Sequence, residues 1–191
     1  MANDFQPAPG DLALMQRFLN SVEFPGRPDR LRDAASAGRW LQQNGLAADD
    51  TAIEEEDRLR LVALRDALRS MLRGRNRGAA DAGAFGRINA IAAETPFVIE
   101  LRDGQAVLRP LGSGIARVVA QLMATIHAGM RDGAWQRLKL CASEECPMAF
   151  YDTSKNRSAA WCSMAQCGNR AKVRAYQTRK RSTEYRVPST E

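Results

Sequence analysis

Aromatic residues are scarce in this chain: Phe, Trp and Tyr together make up 6% of the sequence. Strands favour aromatic and β-branched side chains, whereas the Ala, Leu and Arg residues that are common here favour helices. The composition therefore predicts a mainly α fold.

Long apolar runs are also missing. The most apolar stretch, residues 115–130, is interrupted by Arg117, Gln121 and His127, and it is shorter than the ~20 residues that span a bilayer. The first ten residues have neither the basic region nor the apolar region of a secretory signal. We therefore expect a cytoplasmic protein that does not bind membranes.

Groups typical of catalysis are few. The single histidine, His127, has no identifiable catalytic partner, and packing or helix capping explains it better. The acidic run at 54–57 follows Thr51, which forms a capping-box pattern with Glu54 and predicts a helix N-terminus. No glycine-rich phosphate loop is present. The chain is therefore expected not to be an enzyme.

Residues 1–133 are predicted to form a helical domain. Apolar residues recur at helical spacing in several segments, and the predicted helix starts are Ser36, Thr51, Asp81 and Ser113. Two β-rich runs flank an Asp-Gly pair at 103–104, which predicts one β-hairpin at about 97–111. Glycines at 129–133 mark a boundary before a small C-terminal domain, residues 134–191.

Positive charge is concentrated in that C-terminal domain. The whole chain has a net charge of +6. From Arg137 onward there are 11 Lys and Arg against 5 Asp and Glu, so this segment alone accounts for the whole excess. Such asymmetry indicates a polyanionic partner, and a solvated basic tail is the alternative.

All four cysteines lie in the same segment, as the pairs Cys141/Cys146 and Cys162/Cys167, each separated by four residues. Four thiolates close the tetrahedral shell of a structural zinc ion and leave no position for a reactive water. Two disulfides, a redox pair and an iron–sulfur cluster remain alternatives by spacing alone, although redox pairs are typically C-x-x-C. A structural Zn²⁺ site is favoured.

A basic helix is predicted to follow the last cysteine. Its candidate nucleic-acid contacts are Arg170, Lys172, Arg174, Arg179, Lys180 and Arg181. Arg170, Arg174 and Arg181 can share one helical face, and guanidinium groups suit both phosphate and guanine. For Arg170, hydrogen bonding at the metal site is an equal alternative.

The run Cys167-Gly168-Asn169-Arg170, with the other cysteines and Trp161, resembles the CGNR zinc fingers. Upstream, residues 18–22, 29–31 and 40–41 carry a weaker likeness to the ABATE domain that usually precedes this finger. The resemblance implies a zinc ion on the four cysteines and a stress-induced transcriptional regulator that binds DNA through the finger.

We therefore expect a zinc-containing regulator that binds double-stranded DNA, and whose N-terminal domain senses a small molecule or mediates homodimerisation. Asn20, Asp29 and Arg30 are the candidate pocket residues, with loop and cap hydrogen bonding as the favoured alternative for them. The rival function is an RNA-binding or protein-interaction module built on structural zinc.

Overall fold

The computed structural model describes residues 6–48 and 52–184, and these are mainly helical. The first helices are α1 (Leu12–Leu19), α2 (Ala34–Gln43), α3 (Glu55–Asn76) and α4 (Ala82–Ala93). Strands β1 (Phe97–Arg102) and β2 (Gln105–Pro110) follow, and then α5 (Gly114–Arg131). A 3-10 turn (Ala134–Arg137) leads to β3 (Leu138–Leu140), β4 (Ala149–Tyr151), a π turn (Met164–Gly168) and α6 (Asn169–Glu184).

Two helix starts differ from the predictions. The N-cap of α2 is Asp33 rather than Ser36, because the Asp33 carboxylate accepts a hydrogen bond from the Ser36 amide at 2.6 Å. Helix α3 begins at Glu55, so the acidic run does occupy a first turn, whereas Thr51 lies outside the described residues. Asp81 caps α4 as predicted, and it accepts from the Ala84 amide at 2.9 Å.

The predicted hairpin is confirmed. Strands β1 and β2 pair antiparallel, with Phe97 opposite Pro110 and Arg102 opposite Gln105. Asp103 and Gly104 both have positive φ, at 51° and 75°, which a two-residue turn of the I′ type requires. The hairpin lies against α5 through β2.

Helices α1, α3 and α5 contribute most of the apolar core. The stripe predicted on α3 is completely buried: Leu61, Leu64, Leu68 and Leu72. None of the described helices is long and apolar enough to cross a membrane.

The C-terminal segment shares this core. Trp135, Leu138, Leu140 and Ala149 are buried in the same cluster as the helices. Strands β3 and β4 form a second antiparallel hairpin, with Leu138 opposite Tyr151. Residues on both sides of the predicted boundary at 133 therefore belong to one packed unit.

Polar side chains of α3 and α1 hold this second hairpin by its backbone. Arg69 donates to the Pro147 carbonyl at 2.7 Å and Asn76 to the Leu140 carbonyl at 2.6 Å. At the C-cap of α1, Asn20 donates to the Ala149 carbonyl at 2.9 Å and accepts from the Ala149 amide at 2.7 Å. The helical domain therefore fixes where the first cysteine pair lies.

Candidate metal centre

Short backbone turns place the four cysteines. Cys141 directly follows β3, and its amide donates to the Met148 carbonyl at 2.8 Å, which closes a turn that contains Cys146. The Ala142 amide donates to the Ala160 carbonyl at 2.8 Å and brings Cys162 alongside. Cys167 lies in the π turn that leads into α6.

The sulfur positions fit a tetrahedral zinc ion. All four Sγ atoms lie within 4.8 Å of one another, and the Cys162 sulfur is 3.6 Å from that of Cys146 and 3.7 Å from that of Cys167. A Zn–S bond of ~2.3 Å gives a tetrahedral edge of about 3.8 Å, whereas a disulfide would need about 2.05 Å. The four residues are free thiols.

The thiols also influence one another's ionisation. Hydrogen bonds with Cys146 and Cys162 hold the pKa of Cys141 well below its ordinary value. Hydrogen bonding to Cys141 in turn raises the pKa of both Cys146 and Cys162. A divalent cation would bind these groups as thiolates and release their protons.

Two arginines of α6 turn towards the cysteines. The Arg170 guanidinium donates to the Cys167 sulfur at 3.3 Å, and this hydrogen bond raises the Arg170 pKa. Arg174 donates to the Glu145 carboxylate at 2.8 Å and to the Ser143 hydroxyl at 3.4 Å. The helical face that carries Arg170 and Arg174 is therefore in contact with the metal centre.

Asp152 is a structural residue of the site that sequence reasoning did not single out. Its side chain is fully buried and forms an ion pair with Lys139 at 2.7 Å. It also accepts from the Ser154 amide and hydroxyl at 2.9 and 2.6 Å, and from the Ala159 amide at 3.1 Å. An Asp two residues before a Ser is a turn signal that could have indicated it.

Two family models match the chain. Residues 12–128 match ABATE, whose description is "Putative stress-induced transcription regulator", and residues 137–180 match the CGNR zinc finger. The chain belongs to the ABATE family. No curated protein matches it.

Zinc is the cofactor that the CGNR finger and its sulfur geometry support, as predicted. When bound, the ion would supply a structural crosslink between the turn after β3 and the start of α6. Because all four ligands are thiolates, this centre would leave no open coordination position.

The outward face of the CGNR helix α6 lies opposite Arg170 and Arg174. Helical periodicity places Lys172, Tyr176 and Arg179 on it, with Lys180 and Val173 along its edge. Val173 and Tyr176 are 55% and 62% exposed. The outward face therefore combines cations with exposed apolar side chains.

The three candidate pocket residues of the ABATE domain do not line a common cavity. Asn20 holds Ala149, as described above. Asp29 accepts from the Leu31 amide at 2.7 Å and from Arg65 at 2.8 Å. Arg30 is exposed, and its amide donates to the Ser21 carbonyl at 2.7 Å. The Asn20 and Asp29 side chains thus stabilise the fold.

Proposed function

We propose that this ABATE–CGNR protein is a transcriptional regulator that binds duplex DNA through the outward face of α6. The observation that carries the proposal is the split of the basic residues on this helix. Arg170 and Arg174 contact the metal centre, while Lys172, Arg179 and Lys180 lie on or beside the face that carries the exposed Tyr176.

The dimensions of α6 suit a DNA groove. Its 16 residues give a rod of about 24 Å, and the major groove, ~12 Å wide, admits an α-helix. The helix packs mainly on the π turn before it, so most of its length projects from the protein. Cations on the outward face would contact phosphates, and Val173 and Tyr176 would contact sugars and thymine methyls.

One such helix buries little surface, since single recognition modules cover only ~600–1,000 Å². The proposal therefore includes a homodimer, with the ABATE domain mediating dimerisation or sensing a small ligand. It also includes a cytoplasmic location and a non-enzymatic role, in which zinc is structural.

The test is a titration of the zinc-loaded protein against a mixed-sequence DNA duplex at several salt concentrations. Contacts from Lys172, Arg179 and Lys180 predict a log–log salt slope of about −2.7. Replacing Lys172 with Gln should reduce the slope by about 0.9. Arg174→Gln is the matched control and should change it less, because Arg174 is paired with Glu145.

A salt-independent affinity, or a larger effect of Arg174→Gln than of Lys172→Gln at equal zinc content, would contradict the proposal. If the proposal passes this test, selection from a random duplex library would show whether the protein prefers a particular DNA sequence.

The exposed Tyr176 also favours a second candidate, single-stranded RNA. Base stacking on an aromatic side chain contributes ~1–3 kcal/mol for each base. A preference for single-stranded RNA over duplex DNA of equal length, lost in Tyr176→Ala, would establish this alternative.

A further inference from the structure

A cleft of about 340 Å³ lies where the helical domain meets the finger. It is bounded by the end of α3, the α3–α4 loop, α4, the end of α5 and the 3-10 turn. Its walls are largely apolar, and they include Met71, Leu72, Phe85, Met130 and Trp135. Its volume lies in the ~300–1,000 Å³ range of small-molecule sites.

The cleft has a buried floor and an exposed apolar rim. Leu72 and Trp135 are almost fully buried, whereas Phe85 and Met130, which also line the cleft, are 43% and 50% exposed. Large apolar side chains at half exposure on a concave surface are typical of a ligand site, since a ligand body would cover them.

A cation without a carboxylate partner also lines this cleft. The half-buried Arg75 guanidinium donates to the carbonyls of Trp135 (3.2 Å) and Leu138. Among the described residues, no carboxylate forms an ion pair with it. Burial lowers the pKa of Arg75, which is the response of a cation that lacks a compensating charge.

The carboxylate in the lining, Asp81, is already engaged elsewhere. One oxygen accepts from the Ala84 amide at 2.9 Å and the other from the Ser70 hydroxyl at 2.6 Å. Asp81 therefore caps α4 and does not neutralise Arg75. Each terminal nitrogen of Arg75 keeps one further N–H besides the one that it donates to a carbonyl, so the cleft combines an apolar body with a cation that can still donate to a carboxylate.

We propose that this cleft binds a small amphipathic carboxylic acid. Its alkyl or aryl body would cover Phe85 and Met130, and its carboxylate would pair with Arg75. The inference rests on the proposed ligand-sensing role of the ABATE domain and names the class of ligand. Because Arg75 also donates to the Leu138 carbonyl of β3, and Trp135 lies in the turn before that strand, the acid would bind at the base of the DNA-binding module.

Calorimetric titration of the zinc-loaded full chain, without DNA, tests the proposal with octanoate and 1-octanol as probes. Octanoate should bind at least tenfold more tightly than 1-octanol. Arg75→Met should lower octanoate affinity to the level of the alcohol and leave alcohol binding unchanged, whereas Arg75→Lys should retain part of the preference.

A second variant leaves the Arg75 hydrogen bonds in place. Ala80 is an exposed residue of the cleft wall, so Ala80→Trp should fill the cleft and abolish binding of both probes. Ala93→Trp, on an exposed position of α4 outside the cleft, should not.

Equal affinities for the two probes, binding that persists in Ala80→Trp, or no binding of either probe would each overturn the proposal. Since no DNA is present, these results are independent of whether α6 binds DNA.

Discussion

Replacing Asp152 with Asn should destabilise the zinc-loaded protein by about 2 kcal/mol at pH 7. The carboxylate joins Lys139 on β3 to the backbone at Ser154 and Ala159. The carbonyl of the next residue, Ala160, accepts a hydrogen bond from the Ala142 amide in the turn that carries the first cysteine pair. The substitution would therefore loosen the placement of the two cysteine pairs relative to each other.

The magnitude follows from the ionisation of this carboxyl. Burial alone would raise the pKa of Asp152, but hydrogen bonds from Lys139 and Ser154 outweigh burial and lower the pKa from 3.8 to about 2. At ~1.36 kcal/mol for each pKa unit, this difference corresponds to about 2 kcal/mol. Asn would keep the shape of the side chain and lose the charge.

The same reasoning gives a pH dependence. Because the folded pKa is below the unfolded value, the stabilisation is present above about pH 5 and is lost as the pH falls towards 2. About half of it should remain at pH 3. Acid also releases zinc from both proteins, so the informative quantity is the difference between wild type and variant at each pH.

Urea denaturation monitored by circular dichroism measures this difference, and a competition assay with a zinc chelator gives the accompanying loss of zinc affinity. Glu144→Gln is the matched control, since it neutralises a carboxylate of the same finger that is 89% exposed, and it should cost less than ~0.5 kcal/mol. A loss below ~0.5 kcal/mol for Asp152→Asn, or a difference that is the same at pH 7 and pH 3, would refute the reasoning.

Chelation of zinc should remove hydrogen-exchange protection from α6 while α1, α3 and α5 stay protected; global loss of protection would contradict this. Arg69→Met should cost about 2 kcal/mol in urea denaturation, since it leaves two carbonyls without their donor; an unchanged midpoint would argue against it. Gly129→Ala should lower stability by about 1 kcal/mol, because its new methyl group would lie 3.1 Å from enclosed Leu12. Gly168→Ala should be near neutral, because the exposed Met164 side chain can move aside; the reverse order of the two melting temperatures would show that the neighbouring side chains do not decide the effect.

Local patterns predicted most of the secondary structure. The stripe on α3 follows from helical periodicity, and the hairpin turn follows from Asp103-Gly104. The zinc site was also predictable, because the cysteine pairs and the CGNR motif are short and specific. The error at α2 is equally local: Asp33 and Ser36 are both good N-caps, and the structure uses the first of them.

Features that depend on distant residues were not predictable. Strands β3 and β4 have three residues each, too few for a pattern of alternation to appear. Their positions depend on contacts such as Arg69 to Pro147, 78 residues apart. The direction of Arg174 depends in the same way on Glu145, 29 residues away, so the sequence showed a basic helix but not which face is outward.

The way the helices hold the second hairpin has a consequence for protein engineering. Arg69, Arg75 and Asn76 all donate hydrogen bonds to main-chain carbonyls of the finger. Every amino acid offers the same carbonyl, so this docking places few demands on the finger's side chains beyond the apolar residues that enter the core. Fingers from other family members, grafted after α5, should therefore pack against this helical domain. The same domain could then carry different recognition helices.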